Sequence, residues 1–97
     1  MKLDSRKALG ALPKGTKLIM TDCSCKKHPC IGKERTIVKS NKAGTLFHMK
    51  ESEDRVLELD IKPNMQIRQI NPTKFRIEES IVPNDFYLEY EVVEEKQ

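Results

Sequence analysis

Tryptophan is absent, and phenylalanine and tyrosine together supply only five of the 97 residues, so the core has few large anchors. No apolar run approaches the ~20 residues that a membrane-spanning helix requires, and residues 1–12 lack the apolar segment of a secretory leader. These absences exclude a helical membrane span and point away from secretion. There is no CxxC pair for redox exchange, and no Asn/Asp–His constellation follows the cysteines to complete a hydrolase. Neither histidine has an identifiable acid or nucleophile partner in the chain. The expectation is a protein that is not an enzyme.

Ile, Leu, Val and Phe make up 24 of 97 residues, above the ~20% floor below which disorder becomes the default. Charged residues at 34% and a mean hydropathy of −0.62 imply a thin core under a heavily solvated surface. Length allows one domain, 1–97, with no low-complexity linker and no internal repeat.

Asp4 or Ser5 can cap a short helix carrying Leu9 and Leu12, which Leu12-Pro13-Lys14-Gly15 ends, so residues 1–13 form a helical N-terminal arm. Two or three turns are unstable alone, and the helix must dock through those leucines. Downstream the apolar period becomes two. Strands are expected over 17–21, 35–39, 45–49, 55–62, 65–70, 74–78 and 86–93, separated by turn clusters such as Ser40-Asn41-Lys42-Ala43-Gly44 and Pro83-Asn84-Asp85. In the fourth, Leu57, Leu59 and Ile61 share one face. In the last, Phe86, Leu88, Tyr90 and Val92 alternate with Tyr87, Glu89, Glu91 and Val93; residues 94–97 form a solvated tail. The predicted fold class is all-β: a small curled sheet, or an SH3- or OB-like barrel, of five to seven short antiparallel strands with a short N-terminal helix.

The most distinctive stretch is Asp22-Cys23-Ser24-Cys25-Lys26-Lys27-His28-Pro29-Cys30. Cys23, Cys25, His28 and Cys30 are a legitimate zinc set, although paired zinc ligands are usually two to four residues apart and these are separated by one. No cofactor is required by the rest of the chain; zinc is the one rival, with His48 as a substitute fourth ligand. Cys25, beside Lys26 and Lys27, has the surroundings of a reactive thiol. A bridge from Cys23 or Cys25 to Cys30 is a further alternative. Three cysteines leave one unpaired, which suits a reducing cytoplasm. The plain reading is a solvated basic loop.

Charge is segregated along the chain. Residues 1–50 hold twelve Lys or Arg against three acids, whereas 51–97 hold six against twelve. One outcome is cross-strand Lys–Glu pairing between the halves, contributing ~0–1 kcal/mol per pair. Another is a basic rim of Lys14, Lys17, Lys26, Lys27, Lys33, Arg35 and Lys39, with Lys42 beside them, that contacts nucleic-acid phosphates. No aromatic precedes Phe47, so base stacking is not provided near those cations. A third outcome is an acidic last strand, with Tyr87, Glu89 and Glu91 presented to a basic protein. The apolar face of that strand is also where a homodimer could form.

Leu12-Pro13-Lys14-Gly15-Thr16 leading into Leu18-Ile19-Met20, then Arg35-Thr36-Ile37-Val38-Lys39 and Phe75-Arg76-Ile77, resembles a group of small proteins of tailed bacteriophages and prophages over roughly residues 10–80. The resemblance implies action in a bacterial cytoplasm and carries no assigned activity and no functional residue. The expected function is a binding module that engages nucleic acid or a host protein. Inhibition of a host defence protein and a zinc-stabilised module are the alternatives.

Overall fold

The computed structural model describes residues 2–25, 31–79 and 86–93. One helix, α1 (Arg6–Gly10), precedes seven strands: β1 (Lys17–Cys23), β2 (Glu34–Ser40), β3 (Leu46–Ser52), β4 (Arg55–Asp60), β5 (Met65–Asn71), β6 (Lys74–Glu79) and β7 (Tyr87–Val93). All belong to one antiparallel sheet in the order β4-β3-β2-β1-β7-β6-β5. The last strand therefore inserts at the centre, pairing β1 through Lys17↔Val93 and β6 through Lys74↔Glu91.

The parity of that sheet explains why it curls without closing. Seven strands alternating in direction leave the two edges, β4 and β5, running the same way. A parallel pair needs a crossover of about a dozen residues or more, yet only Ile61 to Asn64 separate the two strands. The edges thus share a core without sharing a ladder. Leu59 and Ile61 from one side and Met65 and Ile67 from the other pack into the same cluster as Leu18, Phe47, Phe75 and Tyr90. The expected curled sheet is present, and the barrel is an open one.

The N-terminal segment covers the opening. Leu3 is completely buried, and its amide donates to Gln69 Oε1 on β5. The Arg6 guanidinium bridges the β4–β5 connection by donating to the carbonyls of Lys62 and Met65. Ser5 caps α1 by accepting from the Ala8 amide at 3.1 Å. Leu9 and Leu12 then meet Leu18, Ile37, Phe47, Leu59 and Phe75 at one end of the sheet. The helix is shorter than its expected arm because the chain turns at Leu12 to run beside β2, where Gly15 donates to the Ile37 carbonyl and Ile37 to that of Thr16.

Each of β1, β2, β3 and β5 carries one extra residue opposite its neighbour, at Thr21, Val38, Glu51 and Ile70. Such bulges turn the following residues to the other face. Strict alternation puts Cys23 outward with Ile19; the bulge at Thr21 instead buries it, 1% exposed, beside Met20. Phe86, expected inward at the head of the last strand, precedes β7 and is 36% exposed. Self-association through the last strand meets an obstacle here. Both edges of β7 are bonded, and Tyr90 and Val92 are core residues.

Gly44, in the β2–β3 turn, lets α1 lie directly on the sheet end. Its φ is +70°, and a Cβ there would sit 1.7 Å from the Arg6 carbonyl oxygen. Gly15 has φ +96° but open space around it. Gly44→Ala should lower stability in urea unfolding by about 3 kcal/mol or more, combining left-handed strain with a backbone collision. Gly15→Ala should lower it by only about 1 kcal/mol, from strain alone. Equal losses would refute the docking contact.

Candidate functional site

Most cations on the sheet are neutralised by carboxylates on neighbouring strands. On the outer face of β1, β7 and β6, Glu89 is 8% exposed. It accepts from Thr21 Oγ1 at 2.7 Å and from Arg76 Nη2 at 3.0 Å, with Lys74 Nζ at 4.0 Å. The bulge places Thr21 within reach. Arg76 also lies over the Tyr87 ring, 4.3 Å from its centroid, and the Tyr87 hydroxyl donates to Asp22 Oδ2 at 3.0 Å. Burial acts to raise the Glu89 pKa, but the bonds from Thr21 and Arg76 and the charges of Arg76 and Lys74 outweigh it and hold the carboxyl below its ordinary value. The bond from Glu89 in turn raises the Arg76 pKa against the effect of its burial.

The three acidic-strand candidates are accordingly engaged within the chain. Tyr87 is half-buried and bonded to Asp22, Glu89 is buried, and Glu91 accepts from Thr73 Oγ1 at 3.2 Å. Alternation alone places Glu89 on the solvent side; the flanking β1 and β6 side chains that cover it belong to strands 13 and 68 residues away.

The basic candidates divide between two ends. Lys14 lies in the α1–β1 turn and Lys39 near the end of β2, both exposed beside α1. Lys17 opens β1 and pairs with Glu34 at 3.9 Å. Lys33 and Arg35 lie at the opposite end of β2, where both face Glu51, at 3.5 and 3.9 Å. Arg35 shares the inward face with Leu18 and Ile37 and is 5% exposed, so it is not part of an exposed rim. Lys26 and Lys27 lie outside the described residues.

The helix end has a further set of exposed lysines, Lys2, Lys7, Lys42 and Lys62, which join Lys14 and Lys39. None of these six forms an ion pair among the described residues, in contrast to Lys17, Lys33, Lys50, Lys74, Arg35, Arg55, Arg68 and Arg76. Backbone contacts draw them together. Helix α1 rests on the turn holding Lys42, the segment holding Lys14 runs along β2, and Arg6 grips the carbonyl of Lys62. Asp4 and Asp60 are the acids of this end. Sequence spacing does not show the grouping, because the lysines come from the N-terminal segment, α1, β2 and three separate connections.

Of the proposed metal ligands, Cys23 is buried with its thiol donating to the Cys25 carbonyl, while Cys25 is exposed. The two thiols thus occupy different environments. His28 and Cys30 lie outside the described residues. Among the described residues no three His, Cys, Asp or Glu side chains gather as a metal site. His48, on the outer face of β3, pairs with Glu58 at 3.4 Å.

No family model, curated protein or solved structure matches the chain. No helix among the described residues is long and apolar enough to cross a membrane.

Because Glu89 is held below its ordinary value near 4.5, its contribution to stability is complete above that pH and disappears as pH falls through the depressed folded value. Glu89→Gln should cost about 2 kcal/mol at pH 7, through the loss of a charge-assisted bond to Arg76. The variant should also lose less stability than the parent between pH 6 and about pH 3. Parallel pH–stability curves for the two proteins would exclude this role.

Proposed function

We propose that the protein is a non-enzymatic binding module that engages nucleic acid through the lysines gathered at its helix-capped end. The observation supporting this reading is the partition of charge. Cations elsewhere on the sheet each face a carboxylate, of Glu34, Glu51, Glu53, Glu78 or Glu89. Lys2, Lys7, Lys14, Lys39, Lys42 and Lys62 keep their charge for an external anion. A surface of this kind meets phosphates as point charges and reads no base sequence. Its affinity comes chiefly from counterion release, and its field steers association. The resemblance to phage and prophage proteins fits a module of this type acting in a bacterial cytoplasm. The alternative of a basic host protein on the acidic last strand is less favoured, since Glu89 and Glu91 already have partners within the chain.

If about four lysines contact phosphates, the logarithm of the association constant should fall with that of salt with a slope of about −3.6 on duplex DNA. Between 50 and 200 mM salt the affinity should drop about a hundredfold. Exchanging Lys7, Lys14, Lys39 and Lys42 together for Gln should flatten the slope by about three to four and leave the fold intact. Lys50→Gln, which removes a lysine paired with Glu53, should leave the slope unchanged. Fluorescence anisotropy with a labelled duplex measures all three proteins. Salt-insensitive binding, or none, excludes the nucleic-acid reading.

A further inference from the structure

An open cavity of about 520 Å³ lies at the helix end, lined by Arg6, Thr45, Asp60, Ile61 and Pro63. Its volume is that of an ordinary small-molecule site. Strand pairing assembles it. Leu46 lies opposite Asp60, and the Ile61 amide donates to the Thr45 carbonyl at 2.7 Å, so the end of β4 and the start of β3 meet there. Arg6 is fixed against the β4–β5 connection by Nη2, which donates to the carbonyls of Lys62 and Met65. Ile61, 1% exposed, and Pro63 make part of the lining apolar.

Asp60 is the member that a surface made only for phosphates does not explain. Its carboxylate is exposed and takes no hydrogen bond or ion pair among the described residues, although unpaired Lys62 is two residues away. A carboxylate repels phosphate and weakens the backbone contacts that the lysines supply. It does accept hydrogen bonds, and two adjacent N–H groups match its two oxygens. Thr45 contributes a hydroxyl whose Oγ1 accepts from Asn41 Nδ2 at 2.8 Å, leaving its own proton to donate. The Arg6 guanidinium, held by the backbone, is a planar cation of the kind on which nucleobases stack. It can take the part that an aromatic ring plays in other single-strand sites.

Among the Watson–Crick edges of the bases, only that of guanine has two adjacent donors, N1–H and the 2-amino group, beside a carbonyl, O6. Adenine and cytosine each set a ring-nitrogen lone pair next to one amino group. Thymine and uracil set a single N–H between two carbonyls. Guanine therefore satisfies a carboxylate and a hydroxyl donor together, and its edge is free only where the base is unpaired. We propose that this cavity takes an unpaired guanine, of a single-stranded segment or of a free guanine nucleotide. Asp60 accepts from N1–H and the 2-amino group, Thr45 donates to O6, and the Arg6 plane stacks on the ring. The inference rests on the reading of the lysines as a phosphate surface. Lys62 lies between Ile61 and Pro63, and Lys42 shares the turn of Asn41, so both can meet phosphates beside the base. The lysines read no sequence; the cavity adds a preference for one base.

Calorimetric titration of the whole protein at fixed salt tests this. The probes are short thymidine oligonucleotides carrying dG, deoxyinosine or dA at the centre, together with GMP and AMP. The dG strand should bind at least about tenfold tighter than the dA strand, the discrimination expected for one charge-assisted hydrogen bond. Deoxyinosine keeps N1–H and O6 but lacks the 2-amino group, so its strand should fall between the two. Asp60→Ala, at an exposed position on an edge strand, should abolish the dG preference while the dA strand keeps its salt dependence. A carboxylate that acts only by repulsion gives no preference in the parent, and its removal strengthens every strand equally. GMP binding as tightly as the dG strand identifies the free nucleotide as the ligand; GMP binding at least about tenfold more weakly identifies the strand. Equal affinities within both the dG–dA and GMP–AMP pairs, or a dG preference that survives Asp60→Ala, overturn the proposal. Salt-dependent binding that is equal for dG and dA leaves the lysine surface standing without the cavity. Preference for GMP over AMP with no binding of any strand does the reverse, and retains the cavity for a free nucleotide.

Discussion

The arrangement depends on an odd number of strands curling round one apolar face. Seven alternating strands leave β4 and β5 pointing the same way, joined by a link too short for a parallel crossover, so the seam cannot be closed by a ladder. Apolar burial still draws both edges onto a common core. The seam is held by the N-terminal segment, through Leu3 on β5 and Arg6 on the carbonyls between the edges. Helix α1, too short to persist alone, is stabilised by what it covers. Gly44 gives its backbone room to approach.

Covering one end and leaving the other to β-bulges separates two electrostatic environments. At the helix end, lysines from several connections project from a surface whose interior is apolar. At the other end, the bulge at Glu51 brings a carboxylate, two arginines and a lysine together on or beside the inward face. Between them, the outer face of β1, β7 and β6 is a network in which Glu89 draws on Thr21, Arg76 and Lys74. Insertion of β7 between β1 and β6 explains why the basic first half and acidic second half do not form two opposed surfaces. It places acids of the second half beside residues of both halves.

Much of the fold is legible in the residues. Alternation in Leu57-Glu58-Leu59 and Tyr90-Glu91-Val92, and turn clusters such as Asn41 to Gly44, locate seven strands within one to three residues of their observed limits. Asn41 itself shows why the turn forms, since its Oδ1 accepts from the amides of Thr45 and Leu46. Cys23 was not legible. One extra residue at Thr21 reverses its face, and a bulge leaves no mark in a two-residue pattern. Nor was the burial of Glu89 or Arg35, because each depends on side chains from strands distant in sequence.

Composition and periodicity alone determined the all-β class, the short capped helix and the overall excess of basic residues, because these follow from local backbone preference and from counting side chains. Strand order, the open seam, the inward turn of Cys23 and Arg35, and the division of cations into paired and unpaired groups were decided only by the tertiary structure. Each of these depends on which distant strands become neighbours, and that is settled by burying one shared apolar face.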